Sequence, residues 1–370
     1  MLYGRPVWAE IDLSAIRQNM RAIKSLLSPQ TRFCPVVKAD GYGHGALAVA
    51  SEAIKLGADY LAVAILDEAL SLRSAGFTCP ILVLGYTPTS LAALVVANRI
   101  TQTIYALDQA AALSAAAKAA GLHAKIHLKV DTGMGRLGVF PAEASQLAVA
   151  VAALPNLEIE GVYTHFACAD SADKSAALRQ LAAFQAALSS LQERRINVPI
   201  KHCANSAATL DLPQTHLDMV RVGIALYGLW PSAETGQPID LIPAMRFKAR
   251  LAQVRAMPAG SAISYGSAYV LPTAGRIATL PVGYADGWSR RLSHKASVVI
   301  GGQKVPIVGR ICMDQCMADV SALANAQIDD EVLLFGGAKL PAEEIAAHLE
   351  TINYEVVCMV GKRVPRVYIG

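Results

Sequence analysis

The stretch FCPVVKADGYGHGALAVASEAIKLGADYLAVA, residues 33–64, decides the fold of this chain. A short apolar run ends at Lys38 and is followed by a glycine-rich turn, an alanine-rich amphipathic stretch and a second apolar run. Apolar strands separated by helices are typical of a parallel sheet that is covered on both faces. The stretch therefore predicts one β/α unit, with a lysine where the strand meets the turn.

The same alternation continues through the first 230 residues of the chain. Its strand-like runs are FCPVVKA, YLAVA, PILVLG, TQTIYA, KIHLKV, EIEGVYTH, IKHCANS and MVRVGIALYG. Eight β/α units in roughly 200–250 residues indicate an α/β protein with a (β/α)8 TIM barrel. A doubly wound open sheet is the structural alternative that the pattern leaves open.

The sequence pattern changes near residue 235, after which short strand-like segments are separated by Gly/Pro turns. Only PAEEIAAHLE has a helical pattern there, so we expect a C-terminal, mostly β domain over residues 236–370 and the barrel over residues 10–235. The opening segment PVWAEIDL reads as a strand, and we assign residues 1–9 to the second domain.

Composition excludes several classes of protein. Hydrophobic residues make up 54% of the 370 residues and charged residues 17%, which indicates a globular chain with a large core. The net charge is only +4, so we expect no nucleic-acid partner. Apolar runs fall short of the ~18 residues that a membrane helix needs. The seven cysteines are scattered without zinc-site spacing, which predicts reduced thiols in a cytoplasmic protein without a metal.

Polar side chains occur where a barrel of this type places its chemistry, at the C-terminal ends of the strands. These ends carry Lys38, Arg136, His165, Asn205, Ser206, Arg221, Gly223 and Ile224. Phosphate sites of such barrels often form after strands seven and eight, where the Ser206 hydroxyl and the amides of Gly223 and Ile224 would be available. An aldehyde bound beside them would be within reach of Lys38, as in a Schiff base with pyridoxal phosphate.

Each of these residues also has an ordinary interpretation. Lys38 alone is a lysine at the barrel rim, His165 alone is a satisfied histidine at a strand end, and Ser206 alone is a helix N-cap. Arg221 is different, because it lies inside an apolar strand, where an unpaired guanidinium is costly. The joint occurrence of these residues favours a functional site.

The segment GMGRLG, residues 133–138, offers a competing interpretation as a dinucleotide-binding turn. Glu158 lies 20 residues beyond Gly138, where the ribose ligand of that motif is expected. However, the motif should lead directly into a helix, and Val139, Phe140 and Pro141 intervene here. We therefore prefer the phosphate–aldehyde interpretation.

Eight motifs, in order along nearly the whole chain, resemble those of bacterial alanine racemases: VVKADGYGHG, KVDTGMGRLG, GVYTHFACAD, HCANSAA, RVGIALYG, ISYGSAY, LPVGYADG and ICMDQCMADV. Enzymes of this family pair a (β/α)8 barrel with a C-terminal β domain, bind pyridoxal 5'-phosphate and form head-to-tail homodimers. The resemblance implies an isomerase that interconverts L-alanine and D-alanine and supplies D-alanine for peptidoglycan.

The resemblance also implies how the cofactor is bound. Lys38 matches the lysine that forms the Schiff base, and Arg221 matches the arginine that faces the pyridine nitrogen, with His165 behind it. The matching phosphate ligands are Tyr42, Ser206, the amides of Gly223 and Ile224, and Tyr354, and Asn205 is counted with the cofactor-binding residues.

Further residues match the substrate side of the family's site. Tyr265 matches the second catalytic base, which reaches in from the partner subunit, and Arg136 matches the residue that contacts it and the substrate carboxylate. Met313 matches the partner's amide donor to that carboxylate. Tyr284 matches a residue of the entry channel, and Lys129 matches a lysine that is carbamylated in some members.

The expected reaction explains why two bases are needed. Racemisation removes the α-proton from one face and returns one to the other, and Lys38 and Tyr265 fit these two positions. The rival functions are a racemase of broad specificity for serine, lysine or arginine, a related barrel decarboxylase for basic amino acids, and a pyridoxal phosphate carrier. The decarboxylase is disfavoured because it normally has an acidic residue at the pyridine nitrogen, where Arg221 stands here.

Overall fold

A computed structural model describes residues 4–370 of the chain. These residues form two compact units. The first, which we call the barrel unit, comprises Ile16–Gly41 and Ala46–Ile242. The second, which we call the β unit, comprises residues 4–15, Tyr42–Gly45 and Pro243–Gly370.

The barrel unit is built on parallel strands that run in chain order. Their bounds are Arg32–Pro35, Leu61–Val63, Ile81–Val83, Thr101–Ile104, Ala124–Lys129, Leu157–Tyr163, Ile200–His202 and Met219–Val222. The second to seventh strands form one sheet, and the first pairs with the eighth. A bridge between Val36 and Ala62 and a hydrogen bond of 3.0 Å from Arg221 N to Ala204 O join the two sets. The ring of strands is thereby closed, and the predicted (β/α)8 barrel is confirmed.

Of the helices in the first 242 residues, Leu13–Lys24 precedes the first barrel strand and the others follow strands one to seven, as the amphipathic pattern predicts. Their bounds are Leu13–Lys24, Ala46–Lys55, Leu66–Ser74, Ala92–Ala97, Leu107–Ala120, Ala144–Ala152, Ser175–Glu193 and Ser206–Asp211. Each buries an apolar stripe against the strands, as Leu72 and Phe184 illustrate. Because the strands are covered by helices outside and by side chains inside, their central residues are fully buried.

The β unit contains a mixed sheet that begins near the N-terminus. In spatial order its strands are Gln253–Met257, Gly275–Leu280, Cys316–Asp319, Gln303–Val308, Ser297–Ile300, Glu331–Phe335, Met245–Arg250, Val7–Asp12 and Arg366–Ile369. Neighbours pair antiparallel except Val7–Asp12 and Arg366–Ile369, which run parallel. A short hairpin of Ala262–Ile263 and Tyr269–Val270 accompanies the sheet.

The expectation that PAEEIAAHLE is the only helical stretch of this region is wrong. Ala342–Leu349 is a helix, but Asn353–Cys358 forms a second one. The sequence NYEVVC is short and β-branched, which by itself favours a strand. Tertiary packing overrides that preference here, because Val356 and Val357 are buried and the Asn353 side chain donates to Glu343.

Among the residues that the structure describes, no helix combines the length and apolar character needed to cross a membrane.

Candidate active site

The chain makes an unusual left-handed turn directly after the first barrel strand. Lys38 begins this turn, and Ala39, Asp40, Gly41 and Tyr42 follow with φ values of 51°, 53°, 62° and 53°. A non-glycine residue in this conformation costs roughly 1–2 kcal/mol. Because backbone strain of this kind clusters at functional sites, the turn marks the end of the first strand as a candidate site.

Two carboxylates hold this turn within the barrel unit. The Glu68 carboxylate accepts hydrogen bonds from the amides of Ala39 (2.6 Å) and Ala64 (2.8 Å). Asp40 accepts one from the Ala46 amide at 2.8 Å. Glu68 was not among the residues predicted from the sequence. The signal that could have found it is an acidic residue in the first turn of the helix after the second strand.

Arg221 lies in the last barrel strand and is almost completely buried, with 3% of its surface exposed. Its guanidinium donates to His202 Nδ1 at 2.7 Å and to the carbonyls of Thr164 (2.9 Å) and Cys203 (3.2 Å). It also lies 3.4 Å from His165 Nδ1. Burial lowers the pKa of Arg221, but a guanidinium remains charged in proteins. The strand thus presents a buried cation with neutral partners.

Positive charge surrounds His165. Burial and the charges of Arg221, Lys129, Arg136 and Lys38 hold its pKa well below the ordinary value for histidine, so the imidazole is neutral. The predicted residues of strands one, five, six and eight therefore act electrostatically on one another within the barrel unit. The charges of Arg221, Arg136 and Lys38, with the protonated fraction of Lys129, act on a neutral ring, which suits this site to an anionic ligand.

Lys129 lies at the end of the fifth strand and is buried. Its ammonium donates to Val130 O at 3.0 Å and lies 5.1 Å from the centre of the Tyr163 ring. Burial and the charge of Arg221 lower the pKa of Lys129 to about 7. A large share of this amine is consequently neutral, and nucleophilic, near pH 7.

The loops after strands seven and eight meet at the Ser206 hydroxyl. It accepts hydrogen bonds from the amides of Gly223 at 2.9 Å and Ala225 at 3.5 Å. The Asn205 side chain caps the short helix that Ser206 begins, since it accepts from the Ala208 amide at 3.0 Å. Because the Ser206 oxygen accepts from the backbone, its own proton remains for donation to a ligand.

Tyr42 and Tyr354 lie together in the β unit, with ring centres 6.2 Å apart. Tyr42 is buried, and its burial together with the nearby Tyr354 raises its pKa. Its hydroxyl therefore stays protonated at physiological pH and can act as a donor.

Tyr265 and Met313 line an open groove of about 1060 Å³ in the β unit. Both are unusually exposed, at 69% for Tyr265 and 53% for Met313. The backbone before Tyr265 is held in a tight conformation, with φ 66° at Ser264, whose hydroxyl donates to Arg310 O at 2.6 Å. The groove thus presents a tyrosine hydroxyl on a fixed turn.

The loop that carries Met313 is fixed by its neighbours in the same unit. The amides of Tyr284 and Ala285 donate to the carbonyls of Cys312 and Met313, each at 3.0 Å. Arg363 forms an ion pair with Asp314 at 2.6 Å. Tyr284, the predicted channel residue, is partly exposed beside this loop.

The glycine-rich segment GMGRLG does not form a dinucleotide-binding turn. The Asp131 carboxylate accepts from the amides of Gly133, Met134 and Gly135 at 2.8–3.1 Å, so these donors are already engaged. The next α-helix begins only at Ala144. The segment closes on its own strand instead of opening a phosphate site.

The residues predicted from the sequence fall into two groups. The barrel unit contains Lys38, Lys129, Arg136, His165, Asn205, Ser206, Arg221, Gly223 and Ile224. The β unit contains Tyr42, Tyr265, Tyr284, Met313 and Tyr354. His202, which contacts Arg221, was missed, although a histidine inside the apolar run IKHCANS was a visible signal.

Comparison with known proteins gives full-length matches. The family model described as "Alanine racemase, N-terminal domain" matches residues 11–231, and "Alanine racemase, C-terminal domain" matches residues 244–368. An alanine racemase of Desulfovibrio desulfuricans is 62% identical over 99% of both chains. The solved alanine racemase of Clostridium difficile 630 is 42% identical, with a TM-score of 0.97 over 100% of this chain and 97% of that one. A structure of the Bacillus anthracis enzyme with bound L-Ala-P is 38% identical, with a TM-score of 0.95 over 100% and 96%.

Proposed function

The chain belongs to the alanine racemase family and interconverts L-alanine and D-alanine, and we propose that it does so with Lys38 and Tyr265 as its two bases. The observation that carries the proposal is the concentration of Lys38, Arg136 and Arg221 around the neutral His165 at the C-terminal ends of the barrel strands. A racemase of broad specificity is not favoured, because the relatives at high identity carry the name alanine racemase.

The cofactor that we propose is pyridoxal 5'-phosphate. Two features support its fit. Ser206 retains a proton for a phosphate oxygen, beside the backbone of Gly223 and Ile224, and the positive charges of Arg221, Arg136 and Lys38 that act on His165 favour an anionic ligand. Tyr42 and Tyr354 would add hydroxyl donors, and Asn205 shapes the turn that presents Ser206. When bound, the cofactor withdraws electrons from the α-carbon of the amino acid joined to it and so acidifies the α-proton.

In this proposal, the side chains of Lys38 and Tyr265 hold and move the α-proton. Lys38 Nζ takes it from one face or returns it, and the Tyr265 hydroxyl does the same on the other face. Arg136 and the amide of Met313 bind the substrate carboxylate and so fix the orientation of the α-carbon between the two bases. Tyr284 borders the channel by which alanine enters.

Arg221 restricts the reaction to proton movement. A guanidinium donates a hydrogen bond to a ring nitrogen but does not readily give up its proton. Beside Arg221, the pyridine ring of a bound cofactor would be a weaker electron acceptor than it would be beside an acidic residue. We infer that Arg221 suppresses transamination, because that side reaction needs a longer-lived negative charge on the substrate.

We also propose a head-to-tail homodimer in which the β unit of one protomer completes the barrel site of its partner. The exposure of Tyr265 and Met313 in an open groove supports this arrangement, since two substrate-side residues would otherwise face solvent. In functional terms, the barrel domain binds the cofactor and the β domain supplies the second base. None of the seven cysteines, which all lie within the described residues, forms a disulfide, which agrees with a cytoplasmic enzyme that supplies D-alanine for peptidoglycan.

Lys129 is proposed to carry a carbamate. Its neutral amine would attack the carbon of CO2 to form an N–C bond and release one proton, giving a carbamate anion close to Arg221. The lowered pKa of about 7 supports this step, because only the neutral amine reacts. An intact mass of the freshly purified protein in bicarbonate, compared with Lys129→Met, tests this assignment.

The assignment of the bases is tested by exchange of the α-proton with solvent deuterium. We expect Lys38→Ala to abolish exchange, together with the visible absorbance that a cofactor joined to lysine gives. Tyr265→Ala should keep the cofactor and slow exchange from L-alanine more than from D-alanine. Tyr86→Ala, which removes an exposed tyrosine of the barrel unit, is the control. Equal losses for the two enantiomers would contradict the assignment of one base to each face.

A further inference from the structure

A row of buried ionisable side chains extends from Arg221 into the barrel interior. Arg221 Nη1 lies 2.7 Å from His202 Nδ1, and His202 Nε2 lies 2.8 Å from His127 Nδ1. His127 Nε2 in turn lies 3.5 Å from Glu160 Oε2, which is an electrostatic contact and not a hydrogen bond. Both histidines are fully buried, and Glu160 nearly so. The proposed mechanism uses Arg221 alone, so the other three need a separate explanation.

The chemistry of these groups fixes the direction of every N–H bond in the row. A guanidinium has donors only, so His202 Nδ1 must accept. Burial and the charge of Arg221 keep the pKa of His202 well below its ordinary value, which leaves this ring one proton, on Nε2. That proton is donated to His127 Nδ1. Burial also lowers the pKa of His127, so this ring is neutral and has one proton. Because His127 Nδ1 accepts from His202, that proton lies on Nε2, on the side of Glu160.

Glu160 ends the row as a carboxylate. Burial raises its pKa, but His127, Lys125 and Tyr60 lower it more strongly, to about 2. Lys125 Nζ lies 2.5 Å from Glu160 Oε1 and is half exposed. Lys125 is the second residue of its strand and so lies toward the end of a TIM barrel opposite its chemistry, whereas Glu160 lies in the middle of the next strand. The row therefore connects the candidate site with the other face of the barrel.

Packing holds both imidazoles in this arrangement. A Cβ on Gly161 would lie 2.6 Å from two atoms of the His127 ring, so only glycine leaves room for that ring. The strand pairing is irregular at the same point, between Ile126 and His127. The His202 ring stacks on Tyr163 with centres 4.8 Å apart and an interplanar angle of 9°. These contacts hold both imidazoles in place.

We propose that Glu160, His127 and His202 form a relay that strengthens the hold of Arg221 on its own protons. The negative charge of Glu160 polarises the N–H bond of His127, which makes His127 Nδ1 a better acceptor for His202. His202 Nδ1 becomes a better acceptor for Arg221 by the same effect. These are positioning residues, and the consequence at the ligand rests on the proposed function, in which Arg221 donates to the pyridine nitrogen without protonating it.

Three single variants separate this relay from a structural role. Glu160→Gln keeps an oxygen for His127 and removes the charge, whereas Lys125→Met removes the cation that offsets Glu160. Glu158→Gln makes the same change of charge at an exposed position of the same strand. The relay predicts opposite effects for Glu160→Gln and Lys125→Met, and little effect for the control. Lys125→Met keeps the proposal testable if Glu160→Gln does not fold.

The first measurement is 15N NMR of the histidine ring nitrogens in the full chain without cofactor. We expect Glu160→Gln to move the acceptor nitrogen of His202 downfield, toward the position of an imidazole nitrogen without a hydrogen bond. Lys125→Met should move it upfield. Unchanged His202 resonances in Glu160→Gln, or equal shifts in Glu158→Gln, would overturn the relay. This measurement is independent of the cofactor, so it stands even if the proposed function fails.

The second measurement uses the holoenzyme. Three contacts and two imidazole rings separate Glu160 from Arg221, roughly 13 Å in all, and loss of a unit charge at that distance changes a proton equilibrium by about threefold to tenfold at an effective dielectric constant of about 20 or more. Pyruvate release reports transfer of the amino group to the cofactor. We expect the rate of pyruvate release, divided by the rate of racemisation, to rise by about that factor in Glu160→Gln. Glu158→Gln should leave the ratio unchanged. A parallel fall of both rates in Glu160→Gln, with no change in their ratio, would mean that Glu160 acts only on stability.

Discussion

Removal of the Glu68 carboxylate should release the left-handed turn that follows Lys38. In the barrel unit this carboxylate joins the ends of two neighbouring strands, through hydrogen bonds from the amides of Ala39 and Ala64. Among the contacts of the described residues, Glu68 is the side-chain acceptor of the Ala39 amide. Glu68→Ala therefore leaves that amide and the Ala64 amide without their protein partner.

The structure gives the magnitude of this effect. Hydrogen bonds to a charged group contribute about 1.5–3 kcal/mol each, so two bonds contribute about 3–6 kcal/mol. The three non-glycine residues with positive φ, Ala39, Asp40 and Tyr42, cost a similar total at roughly 1–2 kcal/mol each. The stabilisation by the hydrogen bonds and the cost of the left-handed backbone nearly balance. Because Glu68 is partly exposed, we expect its removal to lower the free energy of unfolding by about 3 kcal/mol, the lower of the two figures.

The assay is urea unfolding of the protein without cofactor, followed by titration with pyridoxal 5'-phosphate. We expect Glu68→Ala to lower the free energy of unfolding by about 3 kcal/mol and to weaken cofactor binding, because Lys38 no longer starts from a fixed turn. Glu68→Gln, which keeps one acceptor oxygen, should lose about half as much. Asp67→Ala is the control, since it removes an exposed carboxylate from the same helical turn. If Glu68→Ala matched this control in both measurements, the turn would not depend on Glu68.

Two further predictions concern the cations of the barrel. The pKa of Lys129 falls from an ordinary 10.5 in the unfolded chain to about 7 in the folded one, so the unfolded state binds more protons between these values and stability should rise with pH there. In CO2-free buffer, the free energy of unfolding in urea should rise by a few kcal/mol more between pH 7 and pH 9.5 in the natural chain than in Lys129→Met. An equal pH dependence for both proteins would contradict the lowered pKa. Arg221→Glu should release pyruvate from alanine at a rate well above that of the natural chain, and its absence would refute the role given to Arg221 in restricting the reaction.

The barrel could be predicted from sequence because each β/α unit is a local pattern, as residues 33–64 illustrate. Strand, turn and helix follow one another within about 30 residues, and the number of repeats limits how the sheet can close. Predictions failed where tertiary contacts decided the outcome. Asn353–Cys358 is helical despite its β-branched residues, and the left-handed turn after Lys38 is held by Glu68, which belongs to the next β/α unit.

The candidate site was predictable in part, for the same physical reason. Polar residues at strand ends, such as Lys38 and Ser206, can be read from the sequence once the barrel is assumed. The groups behind Arg221 could not be assigned in this way, because His127 and His202 belong to strands 75 residues apart along the chain. Histidines within apolar runs were visible signals, but which one accepts from the other depends on burial and on the charge of Arg221.

The cost of burying Arg221 is itself an argument for its function. In residues 4–370, its polar contacts are two histidines and two carbonyls, all neutral. A buried charge of this kind costs several kcal/mol, and well-packed apolar residues often replace buried ions without loss of stability. Stability alone therefore does not explain why the eighth strand carries a guanidinium. A cation with neutral partners, polarised from a distance by Glu160, makes physical sense where a ligand needs a hydrogen-bond donor that keeps its proton.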